Sequence, residues 1–294
     1  MKVGLFALAA ASANPMAILK ALAEGAERRG FSTLWVPEHV VLLDKYASRY
    51  PYSESGELPG RTDGSIPDPF ITLTAMGAVT SKIRLATGIC LVPEHNPLVL
   101  AKVVASLDWL TGGRVVLGAG IGWLAEEFEA IGIPWERRAA RTRECIEAMR
   151  RLWCDPVSSY RGEFVRFEGV RSNPKPVRST GVPVVFGGES GPALKRTAAY
   201  GDGWFGFNLT PDEAGAKIRK IEELLHANGR KRSDVELIVS PYLRPATSDD
   251  LKRYRDAGVD EVVITSMRPP RTIEETSVNL DNAARSWLEV ASKL

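Results

Sequence analysis

The stretch TGICLVPEHNPLVLAKVVASLDWLTGGRVVLGAGIGW, residues 87–123, decides the fold because it reads as one complete β/α unit. Thr87 to Ile89 closes a strand, Asn96 stands before Pro97 as a helix start, and Arg114 to Gly118 forms the next strand. A capping side chain ahead of proline suits a helix start, because proline lacks the N–H that would go unpaired there. The second strand runs into Gly118, Gly120 and Gly122, which remove side chains where a flat or large ligand would lie against the backbone. This predicts a ligand cleft at the end of the unit.

The same grammar extends through the chain. Short β-branched runs alternate with longer amphipathic segments, the pattern of parallel β/α units. Eight strands are expected: Lys2 to Leu8, Thr33 to Val36, Arg84 to Ile89, Arg114 to Gly118, Val182 to Phe186, Gly203 to Phe207, Val235 to Pro241 and Glu261 to Thr265. Asn14-Pro15, Asp68-Pro69 and Thr210-Pro211 repeat the helix start, and Gly30, Gly229 and Gly258 mark helix ends. In one helix Ile218, Ile221, Leu224 and Leu225 make an apolar stripe, with Lys217, Lys220, Glu222 and Glu223 facing water. Eight units favour an α/β fold closed as a (β/α)8 TIM barrel, one domain over residues 1–294, over an open doubly wound sheet.

Two segments depart from the minimal unit. An inserted loop after strand 2, Val40 to Pro67, carries Tyr46, Tyr50 and Tyr52 and reads as a lid or binding loop. Before strand 5, Cys154 to Thr180 holds a small hairpin around Tyr160 to Phe167. At the amino end, an apolar run followed by Ala11-Ser12-Ala13 imitates a signal peptide, but a single lysine precedes it and a first barrel strand is the favoured reading.

Thirty-eight basic against 36 acidic residues give a net charge of +2 with no long same-sign block. That balance argues against nucleic acid or a membrane surface and for a small-molecule partner. The three cysteines, Cys90, Cys145 and Cys154, form no C-x-x-C pair, which fits a cytoplasmic protein in a reducing compartment. Cys90 reads as a small buried apolar side chain.

Only three histidines are present, and two share a word, Pro37-Glu38-His39 and Pro93-Glu94-His95. Neighbouring Glu and His in an extended segment point to opposite sides, so no metal site is expected from this doubling. His95 is expected to bond nearby backbone, and His226 to be solvated on a helix surface. Gly187-Gly188-Glu189-Ser190-Gly191-Pro192 follows a strand and opens a helix, a place where amide groups and the helix dipole favour a cofactor phosphate. Glu189 must there turn its charge aside or meet a cation, and the alternative is a plain glycine turn capped by Ser190. Gly118-Ala119-Gly120-Ile121-Gly122 departs in spacing and position from the dinucleotide fingerprint, which argues against a Rossmann domain.

These motifs in this order resemble the luciferase-like flavin and deazaflavin oxidoreductases, most closely the branch that uses coenzyme F420. The resemblance rests on Gly4 to Leu8, Trp35 to His39, Thr87-Gly88, Asn96-Pro97, Gly112 to Arg114, Gly118 to Trp123, Gly187 to Pro192 and Gly201 to Trp204. It implies that His39 acts as general acid or base at the ring while Glu38 orients the loop or the ring. It also implies that Thr87, Gly88 and Ile89 back the ring through main chain, often with a non-proline cis peptide, against the alternative of an ordinary glycine bulge. Gly120 and the Gly187 to Ser190 loop complete the expected cofactor contacts, and Trp35 and Trp123 are expected to wall the substrate pocket. Trp123 stands where the sugar-phosphate dehydrogenases of that branch carry a carboxylate, which favours a more apolar substrate. FMN in a monooxygenase of the same fold is the alternative cofactor, and Lys45, Arg49 or Arg61 would serve the longer anionic tail of F420. A homodimer is implied as well. A metal-dependent hydrolase or a non-catalytic flavin-binding protein are the remaining readings.

Overall fold

A computed structural model of the protein describes residues 1–7, 14–59, 62–265 and 270–294. Its strands are β1 (Lys2–Phe6), β2 (Thr33–Val36), β3 (Arg84–Thr87), β4 (Cys90–Leu91), β5 (Val115–Gly120), β6 (Ser158–Arg161), β7 (Arg166–Val170), β8 (Val184–Gly187), β9 (Gly203–Phe207), β10 (Glu236–Ser240) and β11 (Glu261–Thr265). The helices are α1 (Pro15–Arg29), α2 (Pro69–Gly77), α3 (Pro97–Leu110), α4 (Ala125–Ala130), α5 (Arg138–Cys154), α6 (Gly191–Tyr200), α7 (Pro211–Ala227), α8 (Asp250–Asp256) and α9 (Ile273–Ala283).

Strands β1, β2, β3, β5, β8, β9, β10 and β11 are parallel neighbours in turn, and β11 pairs back onto β1. The result is the closed eight-stranded (β/α)8 barrel expected from the alternation of strands and helices. The inserted loop follows β2, and β6 and β7 form the antiparallel hairpin ahead of β8.

All four X-Pro helix starts are built as read. Asn14 accepts from Ala17 N–H, Asp68 from Ile71, Asn96 from Leu98 and Val99, and Thr210 from Glu213 in a reciprocal capping box. Gly30, with φ 90°, takes the left-handed conformation after α1. Leu8, the Ala11 to Ala13 segment and Arg61 lie outside the described residues.

One residue from each barrel strand points inward to a common layer: Phe6, Trp35, Ala86, Val116, Val185, Phe205, Ile238 and Val263. Trp35 is fully buried there and stacks on Phe205 with centroids 4.7 Å apart. Its expected place in the substrate pocket is therefore corrected. The two-residue alternation of β2 sends Thr33 and Trp35 into the barrel, and the indole is consumed by packing below the mouth.

The amino-terminal end of the barrel is closed by charge instead. Arg84 bonds both oxygens of Glu236, at 2.7 and 3.0 Å, and Glu261 at 2.5 Å, while Lys2 adds a 2.7 Å contact to Glu236 and Ser32 Oγ a 2.7 Å contact to Glu261. Burial pushes the Glu261 carboxyl up, and Arg84 pulls it back. This network fixes the barrel far from the loops. Among the described residues no helix is long and apolar enough to cross a membrane.

Candidate active site at the barrel mouth

The strand that opens the site is interrupted. After Thr87 the chain bulges through a cis Gly88–Ile89 peptide and rejoins β5 as β4, pairing Cys90 with Ala119 and Leu91 with Gly120. This second contact explains why β5 continues to Gly120 instead of ending at Gly118. Thr87 itself is buried, with its hydroxyl donating to Gly118 O at 2.7 Å, so it braces the bulge from behind.

The glycines around the bulge have a different immediate neighbour from the one expected. A Cβ on Gly120 or on Gly187 would stand 2.5 Å from Ile89 Cδ1. The space they leave is filled by the Ile89 side chain, and a Cβ on Gly88 would meet the Phe6 ring at 2.9 Å. Gly88, Ile89, Gly187 and Gly188 are half-buried and form one continuous floor.

His39 follows β2 at one edge of that floor. Its Nδ1 lies 2.7 Å from Glu127 Oε2, and the other Glu127 oxygen accepts from Val40 N–H at 2.6 Å and Val41 N–H at 3.1 Å. The preceding residue of α4, Glu126, accepts from Ala47 N–H at 2.6 Å and Ser48 N–H at 3.1 Å. Although burial opposes it, the Ser48 hydroxyl and the Ala47 and Ser48 amides hold the Glu126 carboxyl down at about 2. Two adjacent carboxylates thus clamp the loop after β2. Acidic residues suit the first turn of a helix, a local signal in Glu126-Glu127 that sequence reading passed over.

Glu38 does not face the ring position. Its Oε2 accepts from Leu91 N–H at 2.5 Å and its Oε1 meets His95 Nε2 at 2.9 Å, so it orients the segment after the bulge. His95 therefore bonds a carboxylate instead of backbone, and that bond raises its affinity for a proton against the opposing effect of burial. Donor atoms of Glu38, Cys90 and His95 lie within 4.8 Å of one another. In this arrangement Glu38 is already engaged by His95 and Leu91, and burial beside Glu38 keeps the Cys90 thiol protonated. His39 and His95 thus serve two separate carboxylates.

Aromatic rings line the mouth from His39 around to β10. Trp123 meets His39 edge-on at 5.8 Å, Tyr46 at 5.8 Å and Tyr50 at 5.1 Å. Tyr50 contacts Tyr52, Tyr52 contacts Phe207, and Phe207 lies 4.3 Å from Tyr242. Beyond Phe6 and Tyr242 a cavity of about 300 Å³ opens, lined by Ile264, Leu280 and Trp287 with Thr265 and Asn279.

At the opposite edge the Gly187 to Ser190 loop turns into α6. Gly188 has φ 108°, a conformation glycine alone adopts without strain, and Ser190 caps the helix by accepting from Ala193 N–H at 3.4 Å. Glu189 is turned aside, accepting from Phe207 N–H at 2.8 Å and from the Tyr52 hydroxyl. Burial pushes it up to about 7 in spite of those bonds. The cations expected in the lid are engaged elsewhere or exposed: Arg49 donates to Glu54 O and Ser55 O within its own loop, and Lys45 is on the surface.

Arg138 and Arg196 were not anticipated. Arg196, on α6, is 8 % exposed, and Arg138, at the start of α5, lies over the Trp135 ring at 3.4 Å and near Gly122 O. Burial and, for Arg138, the charge of Arg196 lower both, and among the described residues neither meets a carboxylate. No local pattern marks such a pair, because α5 and α6 are brought together only by the barrel.

Comparison with known proteins agrees with this architecture. The model of the family described as luciferase-like monooxygenase matches residues 1–290. An uncharacterized protein of Mycobacterium tuberculosis is 36 % identical over 267 residues, covering 90 % of this chain and 92 % of that one. Among solved structures, a monooxygenase from Streptomyces bottropensis superposes with a TM-score of 0.78 at 22 % identity, covering 98 % and 99 % of the two chains. An F420-dependent secondary alcohol dehydrogenase, solved with an F420-acetone adduct, gives 0.74 at 18 % identity and covers 99 % of each. The chain belongs to the luciferase-like monooxygenase family.

Proposed function

We propose that this protein is an F420-dependent oxidoreductase acting on a compact, largely apolar carbonyl compound, alcohol or activated alkene. The observation that carries the reading is the pairing of His39 with Glu127 beside the Gly88–Ile89 floor. Holding Nδ1 leaves Nε2 to give or take a proton at the substrate, the task of an imidazole in acid–base catalysis. When bound, the deazaflavin supplies or accepts the hydride.

The residues present fit that group. The Gly187 to Ser190 turn at the start of α6 offers an anion site, and the uncompensated Arg138 and Arg196 supply positive charge on the neighbouring helices. Gly88 and Ile89 offer main chain to a ring face, and Trp123 with Tyr50 shields the reacting atoms from water. The rings of Trp123, Tyr46, Tyr50 and Tyr52 around His39 suit a largely apolar substrate.

A cytoplasmic location accords with three free thiols, Cys90, Cys145 and Cys154. We place the second copy of a homodimer against α2 and α3, where Ile71 is 71 % and Val99 62 % exposed.

Titration with F420 and, separately, FMN tests the reading by ring fluorescence. Binding of F420 with substrate-dependent bleaching is the expected result, and tight FMN binding with no response to F420 assigns the monooxygenase alternative. A His39→Ala variant keeps cofactor binding and loses most turnover. Unchanged rates would remove His39 from the chemistry.

A further inference from the structure

Asn208, between β9 and the cap of α7, stands as a braced post on the rim of the mouth. Its backbone lies in the left-handed region at φ 60°, which asparagine tolerates better than most side chains. Its carbonyl accepts from Arg244 Nε at 3.3 Å, and its Oδ1 accepts from Leu243 N–H at 3.0 Å. Arg244 is held in turn by Glu213 of α7 at 3.2 Å. The next residue, Leu209, donates its N–H to Ser240 O at 3.3 Å and accepts from the Tyr254 hydroxyl at 2.6 Å. From this fixed position the side-chain amide Nδ2 reaches the inserted loop, 156 residues away in sequence, and donates to Tyr52 O at 2.9 Å.

The loop it meets is built as two bodies joined between Ser48 and Arg49. Residues 40–48 are fastened to α4, by Glu127 at the amides of Val40 and Val41 and by Glu126 at those of Ala47 and Ser48. The Ser48 hydroxyl adds a bond from Ala125 N–H at 3.0 Å. Residues 49–58 are tied to themselves instead. Arg49 donates to Glu54 O and Ser55 O, Tyr50 N–H to Gly56 O at 2.7 Å, and Ser53 Oγ to Glu57 O at 2.6 Å. Across the joint, Leu58 N–H donates to the Tyr46 hydroxyl at 3.1 Å.

Toward the rim the second body offers Tyr52 O to Asn208, and the hydroxyls of Tyr50 and Tyr52 to Tyr242 and Glu189. The hydroxyls sit at the ends of side chains, whereas Asn208 grips the main chain that carries both rings. Hydrogen bonds to an ionised group are the stronger class, so the carboxylate end of the loop outlasts the amide end. A segment rigid in itself and held unequally at its two ends moves by turning about the firmer one.

We propose that Asn208 is the latch of the lid, a positioning residue whose Nδ2 holds residues 49–58 shut across the mouth, with the Glu126–Glu127 clamp as the hinge. Shut, the lid seats Tyr50 against Trp123 at 5.1 Å, and Trp123 meets His39 at 5.8 Å. Tyr50 is then 8 % exposed. Released, the segment turns away from the rim, breaks the Leu58–Tyr46 bond and opens Tyr50 to water. That cofactor and substrate enter and leave by this opening rests on the proposed function, whereas the motion does not.

Two substitutions cut the bond in different ways. Asn208→Asp keeps an acceptor for Leu243 and turns a second oxygen toward Tyr52 O, and Asn208→Gly keeps the left-handed backbone without a side chain. In the free protein, amide exchange at Leu58 and hydroxyl-radical oxidation of Tyr50, read by mass spectrometry, are expected to rise about fivefold in each variant. The amides of Val40, Val41, Ala47 and Ser48 are expected to exchange at wild-type rates. Wild-type values at Leu58 and Tyr50 overturn the latch, and acceleration at the four clamped amides overturns the hinge. With F420, stopped-flow fluorescence is expected to show association and dissociation each about fivefold faster, with Kd changed by less than about threefold. Wild-type rates in both directions overturn the gate. Failure of the wild-type protein to bind either cofactor sinks the oxidoreductase reading alone, and exchange and oxidation in the free protein still decide the latch.

Discussion

Glu127 meets His39 Nδ1 at 2.7 Å with one oxygen and holds the amides of Val40 and Val41 with the other. A single buried side chain thereby sets the tautomer of the imidazole and the path of the main chain that leaves it. Replacing Glu127 with Gln keeps the shape but offers the ring a neutral partner. Turnover is expected to fall at least about tenfold with cofactor affinity unchanged, read by steady-state kinetics and fluorescence titration.

Glu126 grips the same loop farther along, at Ala47 and Ser48. In Glu126→Ala the loop is expected to be nicked faster by protease between residues 40 and 59, while the global Tm moves by no more than about 2 °C. Because its carboxyl is held at about 2, below its unfolded value, the clamp is in place above that unfolded value and is lost only as pH falls toward 2. Loop cleavage in the wild type is therefore expected to be insensitive to pH from neutrality down to about 4.

Glu189 gives the opposite sign. Its carboxyl sits at about 7, so the negative charge beside the α6 loop develops as pH rises through neutrality. An anionic cofactor is expected to bind more weakly at pH 8 than at pH 6, with the midpoint near 7. Glu189→Gln is expected to flatten this dependence, and an equally steep slope in the variant would assign it to another group.

Arg84 balances Glu261 and Glu236 at the closed end of the barrel. Arg84→Met leaves the fully buried Glu261 uncompensated, a loss of about 3–5 kcal/mol in denaturant unfolding. Cofactor affinity under native conditions is expected to survive, since the network lies opposite the mouth.

Much of the scaffold was legible because its signals are local. Asn14, Asp68, Asn96 and Thr210 each announce a helix within two residues, and the observed helices begin there. At the bulge the chain takes the cis Gly88–Ile89 peptide, one of two alternatives that the residues left open, and Glu189 turns its charge aside onto Phe207 N–H and Tyr52. Trp35 was misjudged because inward and outward positions alternate, and closeness to a strand end does not say whether a ring reaches the mouth. The end of β5 was set two residues short, because its partner Cys90–Leu91 returns only after the bulge. Glu127 and Arg138 were missed because the groups they act with lie on other β/α units: Glu127 serves His39, 88 positions earlier, and Arg138 meets the charge of Arg196 on α6.

The double clamp at Glu126 and Glu127 has a consequence for transplanting parts between relatives. Residues 40–48 and the short helix 125–130 are wired as one cassette, so a foreign lid dropped in by itself would arrive without its anchors. Chimeras that exchange both segments together should keep the imidazole aligned, whereas single-segment swaps should bind ring and substrate yet idle.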